Sequence, residues 1–456
     1  MQVHGHAAPP RLTESKPAAT TRGPVLVAAW AGLLVVAVAV GVVYRRGRPI
    51  EVGAVPWVGR WGFAVALLPR LGVAAGALAL AVWAAPRWAT RWHLRSVVLA
   101  AAATTVVLTL VLAWAGPDNT HWVSLRFGYG AHTHLVDDWG GPAAFLRRYV
   151  DRQPFLTAHL RAHPPGLVLV LWAFERIGLA SRTFHLALML AAGAVMTVAA
   201  LASLRALTGD AAVRAAAPFV AIGPVLVWRT NPDVVFGAVG LVAVWLLIRA
   251  IVEPPGARRD AFALAGGVAF GATLLLSYGL VLLACPVVAV AAARRQLRPL
   301  LVAALAALAV LALPALWGFS WLAGLRETRV QYAQSVARIR GYRYWLLGNA
   351  AIYAALIGPA IVAGLASVRG RAARALVFGA VACVVLAGLS GLSSAETERI
   401  WQPFVPLALL AGGALWVDGA RLSTTAGGFD ISRARRWLAL QAVVALGFQT
   451  FLWTRV

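Results

Sequence analysis

The feature that most constrains this chain is the recurrence of long apolar runs along its 456 residues. They cover 25–43, 62–85, 96–115, 164–180, 184–204, 217–228, 234–251, 261–293, 299–320, 345–368, 375–393, 399–417 and 437–453. A helix crossing a bilayer needs roughly 20 mostly apolar residues, and it must satisfy its own backbone polar groups. The run 261–293 is long enough for two helices that bend near Ser277–Gly279. The pattern predicts an all-α, polytopic membrane protein with about 11–13 transmembrane helices. A β-barrel does not fit, because the runs are continuous and rich in Ala and Leu rather than alternating. A polar N-terminal tail, 1–24, precedes a single transmembrane domain, 25–456, whose main polar interruption is the loop 116–162. The tail is long and polar for a signal peptide, so the first run is expected to stay as an uncleaved helix.

The formal net charge of +25 comes almost entirely from arginine, Lys16 being the sole lysine. The arginines stand in short groups between apolar runs. That arrangement reads as topology signals and headgroup contacts, not as a nucleic-acid surface. Five groups mark the inner loops: Arg87, Arg91 and Arg95; Arg258 and Arg259; Arg294, Arg295 and Arg298; Arg369, Arg371 and Arg374; Arg433, Arg435 and Arg436. The loops 116–162, 229–233, 321–344 and 393–398 then face outward, as does "RRGR" at Arg45–Arg48, against the usual bias. Three apolar segments lie between the first two outward loops, and three crossings cannot return to the same side. The short segment 217–228, with Pro224 near its end, is expected to dip in without crossing. Abundant Ala, Val, Gly and Arg beside scarce Lys fits a GC-rich bacterial genome, hence a bacterial cytoplasmic membrane. Cys285 and Cys383 fall inside apolar runs, which argues against a disulfide framework.

The outward loops carry the polar chemistry. The stretch "GYGAHTHLVDDWGG", 128–141, places His132, His134, Asp137 and Asp138 within seven residues. His121, His159 and His163, with Asp118 and Asp151, lie in the same loop or at its exit, so five of the nine histidines gather there. Adjacent carboxylates point in different directions, so one can act as general base towards an acceptor hydroxyl while the other holds a neighbour. Asp137 and Asp138 are the candidates, unranked. His132, His134, His159 and His163 suit the orientation of a sugar or phosphate. His132 and His134 with an aspartate also offer imidazole and carboxylate donors for a divalent metal, at a spacing that matches no specific metal motif. No cofactor is required. The segment "AFLRRYVDRQPFL", 144–156, reads as an amphipathic helix along the membrane surface, ended by Pro154.

Further polar features follow in order. "HPPG" puts His163 at the start of a helix, where the prolines either aim the helix or frame a site. "NPD" offers Asn231, Pro232 and Asp233 as caps of the helix that follows, with Asp233 equally suited to be a site acid. The loop 321–344 carries Arg326, Arg329, Arg338, Arg340 and Arg343 interleaved with Tyr332, Tyr342 and Tyr344. Guanidinium groups fork onto phosphate, so this loop suits a lipid phosphate or anionic headgroups. Last, "SSAETERIWQPFVP" sets Glu396, Glu398 and Arg399 before a helix, where acids are favoured by the helix dipole. No phosphate-binding loop and no dinucleotide fingerprint is present.

Taken in order over about residues 96–417, these features resemble the GT-C superfamily of integral membrane glycosyltransferases, especially bacterial members related to protein mannosyltransferases and aminoarabinose transferases. The resemblance rests on "HLVDDWGG", "HPPG", "NPD" and "ERIWQPFVP", the last being similar to an Arg-Tyr-x-x-Pro-x-x-Pro pattern with Trp401 near the position of the tyrosine. It implies an inverting transfer of a sugar from a polyprenyl-phosphate donor to a glycan, lipid or protein acceptor at the outer membrane face. Asp137 or Asp138 would be the base, and Arg399 would hold the lipid phosphate. Asp233, Tyr332, Arg340, Arg343 and Glu398 complete the expected substrate-binding set. Two other readings compete. A transporter or lipid flippase would suit the helix count, but such proteins show repeated halves and midplane binding groups. A structural or assembly membrane protein leaves the acid and histidine cluster without a job.

Overall fold

A computed structural model describes residues 22–47, 53–117, 124–417 and 428–454. The apolar runs fold as helices, in chain order α1 (Arg22–Gly47), α2 (Leu68–Arg91), α3 (Leu94–Ala115), α4 (Pro142–Arg152), α5 (Gly166–Arg176), α6 (Arg182–Thr208), α7 (Asp210–Ala221), α8 (Asp233–Val252), α9 (Ala257–Leu276), α10 (Ala284–Arg294), α11 (Arg298–Ala312), α12 (Trp321–Gln334), α13 (Tyr342–Leu365), α14 (Arg371–Leu389) and α15 (Ile431–Phe451). Among the described residues, nine helices are long and apolar enough to cross a membrane. The chain is an all-α, multi-pass membrane protein. The nine are fewer than the apolar runs because several runs are short or broken. The run 261–293 is interrupted by a 3₁₀ segment, Tyr278–Leu283, at the predicted bend, and 399–417 is a chain of short helical turns. Leu301, Leu305 and Leu308 of α11 stand exposed on one face, as a lipid-facing stripe requires.

Contacts at the helix ends sort the chain into two ends of one bundle. At one end, Arg214 donates to the carbonyls of Ala89 and Trp92, Arg294 to that of Leu207, and Trp416 to that of Ala215. At the other, Tyr44 lies against Gly341, a strand β1 (Gly59–Trp61) pairs antiparallel with β2 (Leu452–Thr454), and Trp228 donates to Thr454. All four loops expected to face outward meet at this second end, together with the end of α1 that carries Arg45 and Arg46.

The crossing puzzle resolves differently from the sequence expectation. The non-crossing segment is 164–180, not 217–228. Helix α5 has only 11 residues, and its start meets the outer end of α9 while its far end meets the outer loop. Gly166 at its start packs on the carbonyl of Leu275, while Glu175 and Arg176 at its end bind Thr133 and Asp137. The segment from Asp210 through the 3₁₀ turn Pro224–Trp228 does cross: it runs from the Arg214 contacts to the loop holding Asn231, and it is buried along its second half. A one-and-a-half-ångström rise per residue makes α5 about half a membrane thickness long.

Two local departures from regular helix shape the bundle. Helix α13 breaks at Gly358, whose φ of 77° belongs to the left-handed region, followed by Pro359. The buried Gln441 of α15 patches the break, donating to the carbonyl of Ile357 at 2.8 Å and accepting from the amide of Ala360 at 3.4 Å. A freed backbone group at that depth has no water to turn to, so a side-chain amide does the work. At the outer end, α4 is the expected amphipathic helix. Phe145, Leu146 and Tyr149 are buried, Arg147, Arg148 and Arg152 face out, and a 3₁₀ turn at Gln153–Phe155 follows. It packs on α12 through Gln153, which donates to Thr328 at 2.7 Å.

Candidate functional site

Asn231, not Asp233, does the capping at "NPD". Its Oδ1 accepts from the amide of Asp233 at 2.8 Å, and its Nδ2 donates to the carbonyl of Trp228. This releases the Asp233 carboxylate, which accepts from Arg399 Nη1 at 3.2 Å with its side chain only 3% exposed. Arg399 donates in turn to Glu396 Oε2 at 2.6 Å, and the other Glu396 oxygen accepts from Arg340 Nη2 at 3.0 Å. Four charged side chains therefore form one chain, Asp233–Arg399–Glu396–Arg340, across the α8 start, the 393–400 loop and the segment before α13. Burial pulls against ionisation of Glu396, but the two guanidinium groups outweigh it and hold the carboxyl at about 2. Burial likewise disfavours the Arg399 cation, and Asp233 and Glu396 overcome it, raising its pKa.

The loop that presents Glu396 is strapped from several sides. Tyr332 donates to Ser394 Oγ at 2.8 Å, and Arg340 Nη1 to the Ser394 carbonyl at 2.9 Å. Asn349 donates to the Ser393 carbonyl at 2.6 Å and accepts from the Ala395 amide at 3.3 Å. Glu398, two residues on, behaves in the opposite way. Its carboxyl is buried without a charged neighbour in hydrogen-bond reach, Oε2 has no partner among the described residues, and burial pushes its pKa up to about 7. Two acids of one sequence segment are thus split into an ionised bridge and a carboxyl that gains or loses its proton near neutral pH.

His159, His163 and Tyr129 stand close enough to Arg399 to feel its charge. The rings of Tyr129 and His159 are 5.9 Å apart, as are those of Tyr129 and His163, and His163 lies 5.2 Å from Phe236 of α8. His163 Nδ1 is 3.3 Å from the carbonyl of Leu276. A carbonyl only accepts, so Nδ1 carries the proton and Nε2 keeps its lone pair. Burial first, and Arg399 second, depress both imidazoles to about 4, so each is neutral at pH 7. His159 retains solvent-exposed surface although these groups surround it. Tyr129 is buried, and burial with the Asp233 charge keeps its hydroxyl protonated.

The acidic stretch of the first loop is built differently. Asp137 and Asp138 lie in a short helix, His134–Asp138, with side chains 48% and 62% exposed. Asp137 Oδ1 accepts from Arg176 at 2.9 Å and from Trp172 Nε1 at 3.1 Å, which fixes this turn to α5. Asp138 faces His134 at 4.0 Å. His132 stands 3.3 Å from Thr157, two residues before His159, and its ring is 6.4 Å from that of His134. Neither aspartate pairs with Arg399 or Arg340. Of the expected residues, the structure brings together His159, His163, Asp233, Arg340 and Arg399, with Tyr332 supporting through Ser394. Arg343 is exposed and outside this set. Among the described residues no three metal-ligating side chains converge, so the His132, His134 and aspartate grouping does not form a metal cage. Asp118 and His121 lie outside the described residues.

Sequence reasoning undervalued Glu396 and missed Arg229. Glu396 was seen only as one of two acids before a helix; its spacing from Arg399 was the available signal. Arg229 is 1% exposed, and Nε, Nη1 and Nη2 all lack a partner among the described residues. Burial lowers its pKa to about 10. No protein-family model matches the chain, and no curated protein matches it.

Proposed function

We propose that this protein is a GT-C-like membrane glycosyltransferase of a bacterial cytoplasmic membrane, taking a sugar from a polyprenyl-phosphate donor to a cell-envelope glycan, lipid or protein acceptor. The observation that carries the reading is the convergence of Asp233, Arg399, Glu396 and Arg340 near the neutral imidazoles of His159 and His163, at the end where the long polar loops meet. Fixed guanidinium groups in a site partly shielded from water are strong hosts for a departing phosphate. In the transfer, an acceptor hydroxyl oxygen bonds to the anomeric carbon while the bond from that carbon to the phosphate oxygen breaks. The phosphate leaves with the electron pair, held by Arg399 and Arg340. The hydroxyl proton goes to a carboxylate. Asp137 and Asp138 remain the candidates for that base. The Arg176 and Trp172 bonds to Asp137 fix one of its oxygens and leave the other for a hydroxyl.

The test is transfer or donor hydrolysis by the purified protein in lipid nanodiscs, with a panel of radiolabelled polyprenyl-phosphate sugars and envelope extracts as acceptor. The expected result is sugar release from at least one donor, lost in Arg399→Met. Release from no donor, or equal release by Arg399→Met, overturns the reading.

A further inference from the structure

Arg399 and Arg340 share a single small anion, the carboxylate of Glu396, with one oxygen on each guanidinium at 2.6 and 3.0 Å. This is the bridging geometry a phosphate makes with two arginines. The fit is incomplete. Arg340 Nε is buried with no partner among the described residues, and so is Thr397 Oγ1 one residue from Glu396. A carboxylate has two oxygens to offer. A phosphate brings a third and fourth, and orphaned donors beside an anion are where they would be used.

The backbone under Glu396 carries a second sign. Ala395 and Glu396 are consecutive non-glycine residues at φ 66° and 57°, a left-handed pair that side chains rarely adopt. The bonds from Asn349, Tyr332 and Arg340 hold the segment in this conformation. Strain of this kind persists where the surroundings over-determine it, and it collects at ligand clamps. The two acids on Arg399 also differ in freedom. Asp233 is 3% exposed and rooted at a helix start, whereas Glu396 is 30% exposed and has a path to solvent.

We propose that the Glu396 carboxylate is a resident counter-ion occupying the Arg340–Arg399 anion subsite, and that the phosphate of the ligand displaces it while Asp233 stays in place. The ligand class rests on the glycosyltransferase reading; the exchange itself rests on the geometry. Glu396 keeps two buried cations compensated while the site awaits a ligand, and it leaves when a better anion arrives. Ligand affinity is then lowered by the fraction of time the carboxylate holds the subsite.

The experiment measures binding of farnesyl phosphate and of inorganic phosphate to the full-length protein in detergent micelles, for the wild type, Glu396→Gln and Glu396→Gly. Gln keeps the shape without the charge. Gly removes the carboxylate and suits the left-handed backbone, so it guards against a folding failure of the first variant. Both variants are expected to bind at least one phosphate about tenfold more tightly than the wild type, which reports relief of the internal competitor. Equal or weaker binding by both variants overturns the exchange and makes Glu396 a ligand-positioning residue. Tighter binding of inorganic phosphate alone upholds the exchange and overturns the polyprenyl reading. Binding of neither phosphate by any form overturns both.

Discussion

The two acidic regions of the outer end are alike in composition and opposite in physics. The first loop holds Asp137 and Asp138 on an exposed turn, partnered by an arginine, a tryptophan and a histidine at the surface. The inner cluster holds Asp233 and Glu396 against Arg399 and Arg340, with three of these four side chains no more than 11% exposed. Exposed ion pairs contribute little, because water screens them and long side chains lose freedom. Buried pairs have surrendered hydration, so removing one member leaves a charge with no replacement for water. The exposed acids can therefore change protonation and partner at small structural cost, as a base must. The buried set is suited to holding a charge still.

That division can be broken by substitution. The largest expected effect is on transfer. Asp137→Asn with Asp138→Asn should lower kcat by about 10²–10⁴-fold, the usual share of a positioned base. Unchanged turnover in the double variant removes the base assignment. Next, Asp233→Ala should destabilise the protein by about 3 kcal/mol or more, read as a lowered melting temperature, because Arg399 loses a buried partner. A melting temperature like that of the wild type would show that the pair is no better than a surface one.

Glu398 and Glu396 respond to pH in opposite directions. Its folded pKa of about 7 lies above its ordinary 4.5, so the folded state keeps a proton that the unfolded chain has released between those values. Its contribution to stability is present in full below about pH 4.5 and is lost as pH rises through about 7, a swing on the order of 3 kcal/mol. Glu396, held at about 2, works the other way: its contribution is present above about 4.5 and is lost as pH falls towards 2. Glu398→Gln should match the wild type in melting temperature near pH 4.5 and exceed it at pH 8. Equal melting temperatures at pH 8 would place Glu398 in a polar, hydrated setting. The smallest effect belongs to the surface: Asp137→Asn should change stability by less than about 1 kcal/mol, because it removes only a screened charge while the asparagine Oδ1 still accepts from Arg176 and Trp172. A larger loss would mean that the turn and α5 stand or fall together.

The helices were legible because a bilayer demands length and apolarity, which single residues report directly. The bend near Ser277 and the amphipathic α4 were legible for the same reason. The non-crossing segment was not. The run 164–180 is apolar, but only 11 of its residues form α5, and the contacts of Glu175 and Arg176 that lay it along the outer end are between segments distant in sequence. The cluster was half legible. Arg399, Arg340, Asp233, His159 and His163 were named from residue type and position. Which acid bridges and which holds its proton up to about pH 7 depends on neighbours that sequence does not place. Of the caps offered by "NPD", Asn231 is the one whose side chain binds the helix start, and Glu396, not Glu398, faces the arginines. Arg229 gave no signal, because a lone arginine in a polar tripeptide reads as exposed.

In the proposed transfer, the buried arginine pair, not the exposed arginines of the 321–344 loop, receives the lipid phosphate. A cryo-electron microscopy structure of the protein with farnesyl phosphate tests it directly. Phosphate density is expected within hydrogen-bond reach of both Arg340 and Arg399, with Glu396 turned away and Asp233 still on Arg399. Phosphate at Arg343 or Arg329, with Glu396 still bridging the pair, would contradict it.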